Sequence, residues 1–253
     1  MTSASIGIDC GSTVCKGVLM QDGAVVLTLD MPTGWNPRET SADIVRFLLE
    51  KGARSRAELT VTATGYGRAL VPDADKRITE ITCHARGAEF LRHGVRTVID
   101  IGGQDSKVIA VREGRASAFQ MNDKCAAGTG RFLEMTAGRL SWTLEELGRL
   151  SAGEVCPINS MCAVFADSEI VSLLASGRSR QAIAGGVIAS IASRTAAIAA
   201  KIDLQAPVLM TGGLASLDAL ALALEARLNM PIETSPLSRF AGAIGAALLG
   251  TAD

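Results

Sequence analysis

The stretch Asp9-Cys-Gly-Ser-Thr-Val-Cys-Lys16 near the start of the chain has a counterpart in Asp100-Ile-Gly-Gly-Gln-Asp-Ser-Lys107. Both stretches carry Asp, Gly and Lys at the same offsets, and each lies between two short β-prone runs. Each is also followed by a turn and a third such run, the pattern of a β-meander. Chance is the alternative, because Asp-x-Gly is common in hairpins. The matching offsets and flanks favour duplication, which predicts an α/β protein of two lobes with a cleft between them.

Hydrophobic patterning around the two copies predicts the elements of each lobe. The first lobe, residues 1–94, is predicted to contain strands at 5–10, 14–20, 24–31 and 59–64 and helices at 41–51 and 82–93. The second lobe, residues 95–253, is predicted to begin with strands at 96–101, 106–111 and 116–121. Helices then dominate, at 124–138, 143–151, 164–175, 180–202, 214–228 and 239–250, with a strand at 208–211 and a further candidate strand at 231–234.

The composition is that of a globular protein without a strong electrostatic field. Its 253 residues are 48% hydrophobic and 20% charged, which excludes a disordered chain. The net charge of −1 excludes the basic surface that binds nucleic acid or an anionic membrane. The longest uncharged stretch that we identify, residues 204–217, is too short to span a membrane, and residues 1–8 do not resemble a secretion signal. We therefore expect a cytoplasmic protein whose six cysteines are reduced thiols or metal ligands.

The turn of each meander has the residue types that bind phosphate. Glycine allows the backbone to approach a ligand closely, and the N–H groups of such a turn point outward. Hydroxyl groups add further donors, and a lysine can neutralise phosphate charge. The predicted nucleotide-binding residues are Gly11, Ser12, Thr13 and Lys16 in the first meander and Gly102, Gly103 and Gln104 in the second.

Two carboxylates and a pair of glycines complete the predicted site. Asp9 and Asp100 each end a strand at a loop, where they can hold Mg²⁺ together with water and phosphate oxygens. The chain has no GxxxxGK[ST] loop, so this is not a P-loop site. One Asp-x-Gly motif is a weak signal. Two copies, with a later strand that ends at Gly212 and Gly213, predict a site for a Mg–nucleotide with Asp9 and Asp100 as its catalytic residues.

Cys125 and Cys162 differ from the other cysteines because each closes the pattern Asn-x-x-Cys. Asn, Asp and Ser are N-cap residues, so we expect both cysteines in the first turn of a helix, where the positive helix end stabilises an anionic metal–sulfur cluster. Two such cysteines are half of a Cys₄ site, which a homodimer would complete. From spacing alone, burial as small hydrophobic residues is the stronger alternative. Cys156 is a rival ligand, although Pro157 follows it and no N-cap precedes it.

The two phosphate turns and the Gly-Gly loop resemble the acetate kinase/sugar kinase/Hsp70/actin superfamily. More specifically, residues 6–16, 98–108, 121–134 and 161–174 resemble the BadF/BadG/BcrA/BcrD family. Within it, the chain is similar to the activators of (R)-2-hydroxyglutaryl-CoA dehydratase. The resemblance implies a duplicated, actin-like ATPase fold and a homodimer that binds ATP or ADP with Mg²⁺.

The resemblance also implies an electron-transfer function. One [4Fe-4S] cluster would bridge the subunits through Cys125 and Cys162. Ferredoxin or flavodoxin would supply an electron, and ATP hydrolysis would drive it into a 2-hydroxyacyl-CoA dehydratase or a related double-cubane cluster protein. Two rivals remain open: a small-molecule kinase of the same fold, and the ATPase subunit of a complex of the benzoyl-CoA reductase type.

Some positions depart from the family pattern or carry no assigned role. Leu214 follows the Gly-Gly pair where the family usually has Val, and Arg239 stands where a Gln is common, so the resemblance does not assign the contacts to the base. The two histidines, His84 and His93, are interpreted as structural or surface residues. Glu80, at the start of a predicted helix, could line the cleft or form a surface ion pair.

Overall fold

The computed structural model describes residues 4–122, 125–150, 154–160 and 162–251. The first half of the described chain contains β1 (Ala4–Cys10), β2 (Val14–Gln21), β3 (Ala24–Pro32), α1 (Pro37–Lys51), β4 (Thr60–Thr64), β5 (Lys76–Arg77), α2 (Glu80–Leu91), β6 (Thr97–Ile101), β7 (Ser106–Arg112) and β8 (Arg115–Asn122). The second half contains α3 (Gly130–Leu140), α4 (Leu144–Gly148), α5 (Ala163–Ala175), α6 (Arg180–Ala199), β9 (Val208–Thr211), α7 (Asp218–Leu228), β10 (Ile232–Glu233) and α8 (Ala241–Gly250).

Two five-stranded sheets form the two lobes, and their strands are arranged in the same way. The first sheet has the order β3-β2-β1-β4-β5, and the second, read from its matching edge, has the order β8-β7-β6-β9-β10. In each sheet, three consecutive strands form an antiparallel meander. The remaining two strands add in parallel on the other side of the meander's first strand. This equivalence confirms the predicted duplicated α/β fold.

The C-terminal helix α8 returns to the first sheet. It packs on β1, β2 and β4 and also against α2, which connects the two lobes in sequence. A Cβ on Gly245 of α8 would lie 2.9 Å from Cys83 Cα, and a Cβ on Gly87 of α2 would lie 2.8 Å from the carbonyl carbon of Ala241. Any side chain at these two positions would therefore separate the backbones of α2 and α8. The division of the chain at residue 94 stays a prediction.

Several helix boundaries differ from the predictions, and at α1 local capping gives the reason. α1 begins at Pro37, earlier than the predicted residue 41, because Asn36 caps the helix and proline is favourable at its first position. The predicted helix 124–138 is a 3₁₀ turn, Ala126–Gly128, followed by α3. Residues 214–217, predicted as the start of a helix, precede α7. The predicted helix start at 124 and helix end at 151 lie outside the described residues.

The largest hydrophobic core lies in the second lobe, around α6. By length and apolar composition this helix could cross a membrane. Within the protein, however, it packs against α3, α5 and α7, and Ile183, Val187 and Ile191 are fully buried. These contacts are those of a central core helix.

Candidate functional site

A cleft between the lobes brings together most of the predicted nucleotide-binding residues. Asp9, Gly11, Ser12, Thr13, Lys16, Asp100, Gly102, Gly103, Gly212 and Gly213 all line it. Gln104 does not line it and is exposed. The two turns, residues 11–13 and 102–105, are here called phosphate loop 1 and phosphate loop 2. They contact each other across the cleft, since a Cβ on Gly103 would lie 2.8 Å from Thr13 Cβ.

The duplication extends into the details of the site. Asp9 is paired across the antiparallel strands with Lys16, and Asp100 is paired in the same way with Lys107. On the other side, Asp9 lies beside Thr64 of β4, and Asp100 lies beside Thr211 of β9. Each carboxylate therefore sits between a lysine strand and a threonine strand, at the carboxyl end of the central strand of its lobe.

A glycine follows each of these threonines and makes room for the carboxylate. Gly65 and Gly212 have φ values of +86° and +91°, a conformation that favours glycine. A Cβ at Gly65 would lie 2.5 Å from Asp9 Oδ1, and a Cβ at Gly212 would lie 2.9 Å from Asp100 Oδ1. The sequence analysis identified Gly212 but missed its counterpart. The signal was the repeated Thr-Gly dipeptide at a strand end, Thr64-Gly65 and Thr211-Gly212.

The two lysines have different surroundings. Lys16 lines the cleft, and among the described residues Asp9 is the carboxylate within ion-pair distance of it, with its Nζ 3.5 Å from Oδ2. Lys107 is 1% exposed, and its Nζ lies 2.8 Å from Glu80 Oε1, 3.2 Å from Asp100 Oδ2 and 2.9 Å from Asp105 Oδ1. Burial alone would lower the pKa of Lys107, but the three carboxylates outweigh burial and hold this pKa above its ordinary value.

Asp100 is held in its charged form by its neighbours. Burial alone would raise its pKa, but His84 and the lysines Lys107 and Lys16 hold this pKa well below its ordinary range. The Oγ1 of Thr211 donates a hydrogen bond of 2.8 Å to Asp100 Oδ1. Asp100 therefore stays an anion, although it is 2% exposed, and it can accept a cation in the cleft.

His84 and Glu80 both line the cleft. The sequence analysis considered this position for Glu80 but interpreted His84 as a structural or surface residue. α2 carries both residues one turn apart into the cleft, where His84 Nδ1 lies 3.3 Å from Asp100 Oδ1. Together with Asp100, they offer metal-ligand atoms within 4.8 Å of one another. Lys107 already pairs with Glu80 and Asp100, so its ammonium group balances one of the two negative charges of this cluster. The i, i+4 spacing of Glu80 and His84 was the available signal.

Arg239 and Leu214, the two departures from the family pattern, also line the cleft. Arg239 forms an ion pair with Asp30 of β3, with Nη2 2.7 Å from Oδ2. Its guanidinium also lies over the ring of Phe240, 5.8 Å from the centroid. A cationic, planar group therefore stands at the edge of the cleft.

The predicted position of the two cysteines within a helix turn is wrong by one residue. Cys125 is the N-cap of the 3₁₀ turn Ala126–Gly128, and Cys162 is the N-cap of α5. The side chain of Asn122 accepts a hydrogen bond from the Cys125 N–H and donates one to its carbonyl, so it closes a local turn instead of capping a helix. Asn159 instead donates hydrogen bonds to Glu169 of α5.

The environments of the cysteines favour the predicted pair as metal ligands. Cys162 is exposed and Cys125 is half-buried, and each thiol stands at the start of a helical segment. A helix N-terminus suits an anionic sulfur. Cys156 is 7% exposed and belongs to the core of the second lobe, and its carbonyl carbon would lie 2.9 Å from a Cβ on Gly186. The donor set of exposed or half-buried thiols at helix ends thus fits an iron–sulfur cluster.

The remaining cysteines are buried in or beside the first lobe. Cys10 and Cys15 are opposite each other at the base of phosphate loop 1, and both are fully buried. Burial is the main cause that raises the pKa of Cys83 to about 12. These three thiols face packed interior and are unsuited to bind a cluster at the surface.

The fold and the cleft define an ATPase of the actin-like class, with one phosphate loop from each duplicated half. The comparison with known families is consistent with this class. The chain belongs to the BadF/BadG/BcrA/BcrD ATPase family, whose model matches residues 6–250.

Individual relatives agree with this assignment over nearly the whole chain. The (R)-2-hydroxyglutaryl-CoA dehydratase activating ATPase of Acidaminococcus fermentans is 42% identical over 252 residues, covering 98% of this chain and 97% of the relative. The crystal structure of component A of that organism's dehydratase superposes with a TM-score of 0.92, covering 98% of this chain and 97% of that one. The activator of the 2-hydroxyisocaproyl-CoA dehydratase from Clostridium difficile, solved with bound ADPNP, is 38% identical with a TM-score of 0.90 and covers 99% of this chain and 94% of that one.

Proposed function

We propose that this protein is an ATP-hydrolysing iron–sulfur activator that transfers single low-potential electrons to a partner iron–sulfur protein. One observation carries the proposal: the same chain combines the two-loop cleft with an exposed Cys162 and a half-buried Cys125, each at the start of a helical segment. A small-molecule kinase of this fold would have no use for such thiols. Relatives described as activators of 2-hydroxyacyl-CoA dehydratases support the same assignment.

In this proposal the cleft binds Mg–ATP between the two phosphate loops. Asp9 and Asp100 hold Mg²⁺, because both carboxylates lie at strand ends in the cleft and are 2–3% exposed. Gly11 and Gly102 allow backbone N–H groups to reach the phosphates, and Ser12 adds a hydroxyl. Water would attack the γ-phosphorus as the bond to the bridging oxygen breaks, which releases ADP and inorganic phosphate. The N–H donors of the two loops would stabilise the developing charge, and Mg²⁺ held by Asp9 and Asp100 would supply further electrostatic stabilisation. The ADPNP-bound relative supports nucleotide binding in this fold.

Gly212 and Gly213 are proposed to contact the adenosine. Both line the cleft next to Leu214, and Gly212 keeps side-chain atoms away from Asp100. Gln104 is exposed and does not line the cleft, so of the predicted residues of phosphate loop 2 the contacts to the nucleotide fall to Gly102 and Gly103. The guanidinium of Arg239, at the edge of the cleft, is available to the base or ribose.

The cysteines would hold a [4Fe-4S] cluster between two copies of the chain. Cys125 and Cys162 from each copy provide four thiolates, and such a cluster supplies one-electron redox chemistry when it is bound. Val164 and Phe165, two and three residues after Cys162, are 72% and 70% exposed. Large apolar side chains at a surface are typical of an interface, and here they border the proposed ligand. A second copy packed on this region would bury them.

ATP would act through the shape of the dimer. A nucleotide that binds one arrangement of the lobes more tightly shifts the population towards that arrangement. Cys162 is the N-cap of α5, so movement of α5 would move a proposed ligand. The electron donor is proposed to be ferredoxin or flavodoxin, and the acceptor a 2-hydroxyacyl-CoA dehydratase or a double-cubane cluster protein, all in the cytoplasm.

Anaerobic purification of the chain alone tests this proposal. We expect a brown homodimer with about four iron atoms per two chains that hydrolyses ATP. It should reduce a dehydratase component only when ATP and a reductant are present. A colourless protein that phosphorylates a small molecule would instead support the kinase. A monomer that binds iron only with a second, different subunit would support the ATPase subunit of a benzoyl-CoA reductase type of complex.

A further inference from the structure

Lys107 and Lys16 are equivalent by duplication, but their surroundings differ. Three carboxylates surround the buried Lys107, whereas Asp9 is the carboxylate within ion-pair distance of Lys16 among the described residues. An ammonium group has three N–H donors, and Lys107 places a carboxylate oxygen within 3.2 Å of its Nζ on three sides. The three acceptors come from α2, from β6 and from phosphate loop 2. Lys107 does not line the cleft, whereas Lys16 does.

The three acceptors have separate connections to the nucleotide site. Asp100 is the proposed Mg²⁺ ligand. The carbonyl of Asp105 accepts a hydrogen bond of 2.9 Å from Gly102 N–H, which fixes the turn of phosphate loop 2. Glu80 begins α2. A change at the phosphates or at the magnesium ion must therefore change the forces on Lys107, and Lys107 can pass this change to α2.

α2 is well placed to carry a displacement further. Its backbone contacts α8 at Gly87 and Gly245, without side chains that could absorb a shift. α8 in turn packs on β1, which carries Asp9. Interlocked backbones of this kind move as a unit, because interiors are close-packed. The buried ammonium group thus joins phosphate loop 2 to a rigid pair of helices that reaches the other lobe.

We propose that Lys107 is a positioning residue that couples phosphate loop 2 to α2, while Lys16 is the lysine that meets the nucleotide. The inference rests on the ATP-driven function proposed above. Lys107 touches no nucleotide. Its role is to hold Asp100 and phosphate loop 2 in register with α2, and to transmit to α2 whether a γ-phosphate is bound.

The test compares the equivalent lysines. The double variant Lys107→Gln/Asp105→Asn removes one charge of each sign, which leaves the net charge unchanged and limits the number of unpaired buried carboxylates. Lys16→Gln is its matched control in the other meander. ATPase kinetics give kcat and KM for each protein. Hydrogen exchange of residues 80–91, measured with ADP and with ADPNP, reports on α2.

We expect the double variant to lose about 10- to 100-fold in kcat, as misplaced catalytic groups typically do, with KM for ATP changed by less than about threefold. The difference in α2 exchange between ADP and ADPNP, present in the wild type, should disappear. Lys16→Gln should instead raise KM for ATP by at least about tenfold. At saturating nucleotide it should keep the difference in α2 hydrogen exchange between ADP and ADPNP. A merely structural role for Lys107 would lower the melting temperature without this division between kcat and KM.

Three results would overturn the inference. They are a folded double variant with wild-type kcat, a variant that keeps the nucleotide-dependent exchange of α2, and a wild type without such a difference. If the double variant does not fold, Glu80→Gln replaces it as the test. Glutamine keeps an acceptor for Lys107 but removes the negative charge that joins Lys107 to α2. The inference then requires that Glu80→Gln also lose the difference in α2 exchange between ADP and ADPNP. A wild type that binds ADPNP but does not hydrolyse ATP would refute the proposed function, while the exchange experiment would still judge Lys107.

Discussion

Gly103→Ala tests whether the two phosphate loops must touch for the cleft to bind nucleotide. Gly103 is in phosphate loop 2, and its missing Cβ would lie 2.8 Å from Thr13 Cβ in phosphate loop 1. Ordinary contacts of this kind begin at 3.4 Å, so the loops would have to separate by 0.6 Å. A side-chain rotation of Thr13 cannot relieve the overlap, because its Cβ is fixed to the backbone. Gly103 has no positive φ, so alanine itself fits the local backbone.

The size of the effect follows from the cost of forcing an extra methyl group into a packed contact. Such overpacking typically costs about 1–3 kcal/mol. Because the cost falls on the arrangement in which the loops meet, it should appear as weaker nucleotide binding. At about 1.4 kcal/mol per factor of ten, the dissociation constant for ADPNP should rise by about 5- to 150-fold. The stability of each lobe should change little, since the overlap is between lobes.

The assay is titration of ADPNP by calorimetry, together with the ATPase KM and the melting temperature without nucleotide. Gly138→Ala is the matched control, because Gly138 is exposed in α3 and a Cβ there would meet no atom within 4 Å. This control should bind ADPNP as the wild type does and should be slightly more stable, since alanine is the better helix former. Wild-type affinity in Gly103→Ala, with the melting temperature also unchanged, would refute the role of contact between the loops.

Three further predictions concern the cluster, the magnesium ion and pH. Cys125→Ser or Cys162→Ser should abolish iron binding and leave the fold intact by circular dichroism, whereas Cys156→Ser should keep its iron; the opposite pattern would make Cys156 the ligand. Asp9→Asn should lower Mg–ATP hydrolysis by at least about tenfold with iron content unchanged, and full activity would remove this carboxylate from the site. Because the pKa of Lys107 is raised in the folded protein, its contribution to stability is complete below the unfolded lysine pKa of about 10.4 and is lost as pH rises beyond it. As pH rises above about 10.4, the urea midpoint should therefore fall more steeply in the wild type than in Lys107→Gln, and equal slopes would contradict the buried ion pairs.

The parts of the site that could be predicted from sequence are those set by local geometry. Asp9 and Lys16 face each other because four residues separate the last pair of the hairpin, Cys10 and Cys15, and this spacing fixes the register. The same spacing applies to Asp100 and Lys107. The repeated offsets were enough to predict both lobes and the cleft. The Gly-Gly pair after β9 could also be predicted as part of the site, because glycines at the end of a strand are a local signal in the sequence.

The remaining features depend on packing between distant segments. His84 enters the cleft because α2 packs against α8 and the second sheet, and a lone histidine on a helix does not reveal this. The return of α8 to the first sheet rests on close backbone contacts at Gly87 and Gly245. Small residues in the sequence of α8 do not indicate which distant helix they will contact. The buried position of Lys107 likewise depends on Glu80, 27 residues earlier in the chain.

The most direct test of the central claim is the rate at which an iron chelator removes iron from the anaerobic protein. If Cys125 and Cys162 hold a cluster between subunits whose angle depends on nucleotide, Mg–ATP should open the site and accelerate chelation. Mg–ADP should not, and Lys16→Ala should not respond to ATP if this lysine senses the phosphates. A chelation rate indifferent to ATP, in a protein that hydrolyses ATP and contains iron, would show that the two sites are not mechanically linked and would contradict the activator function.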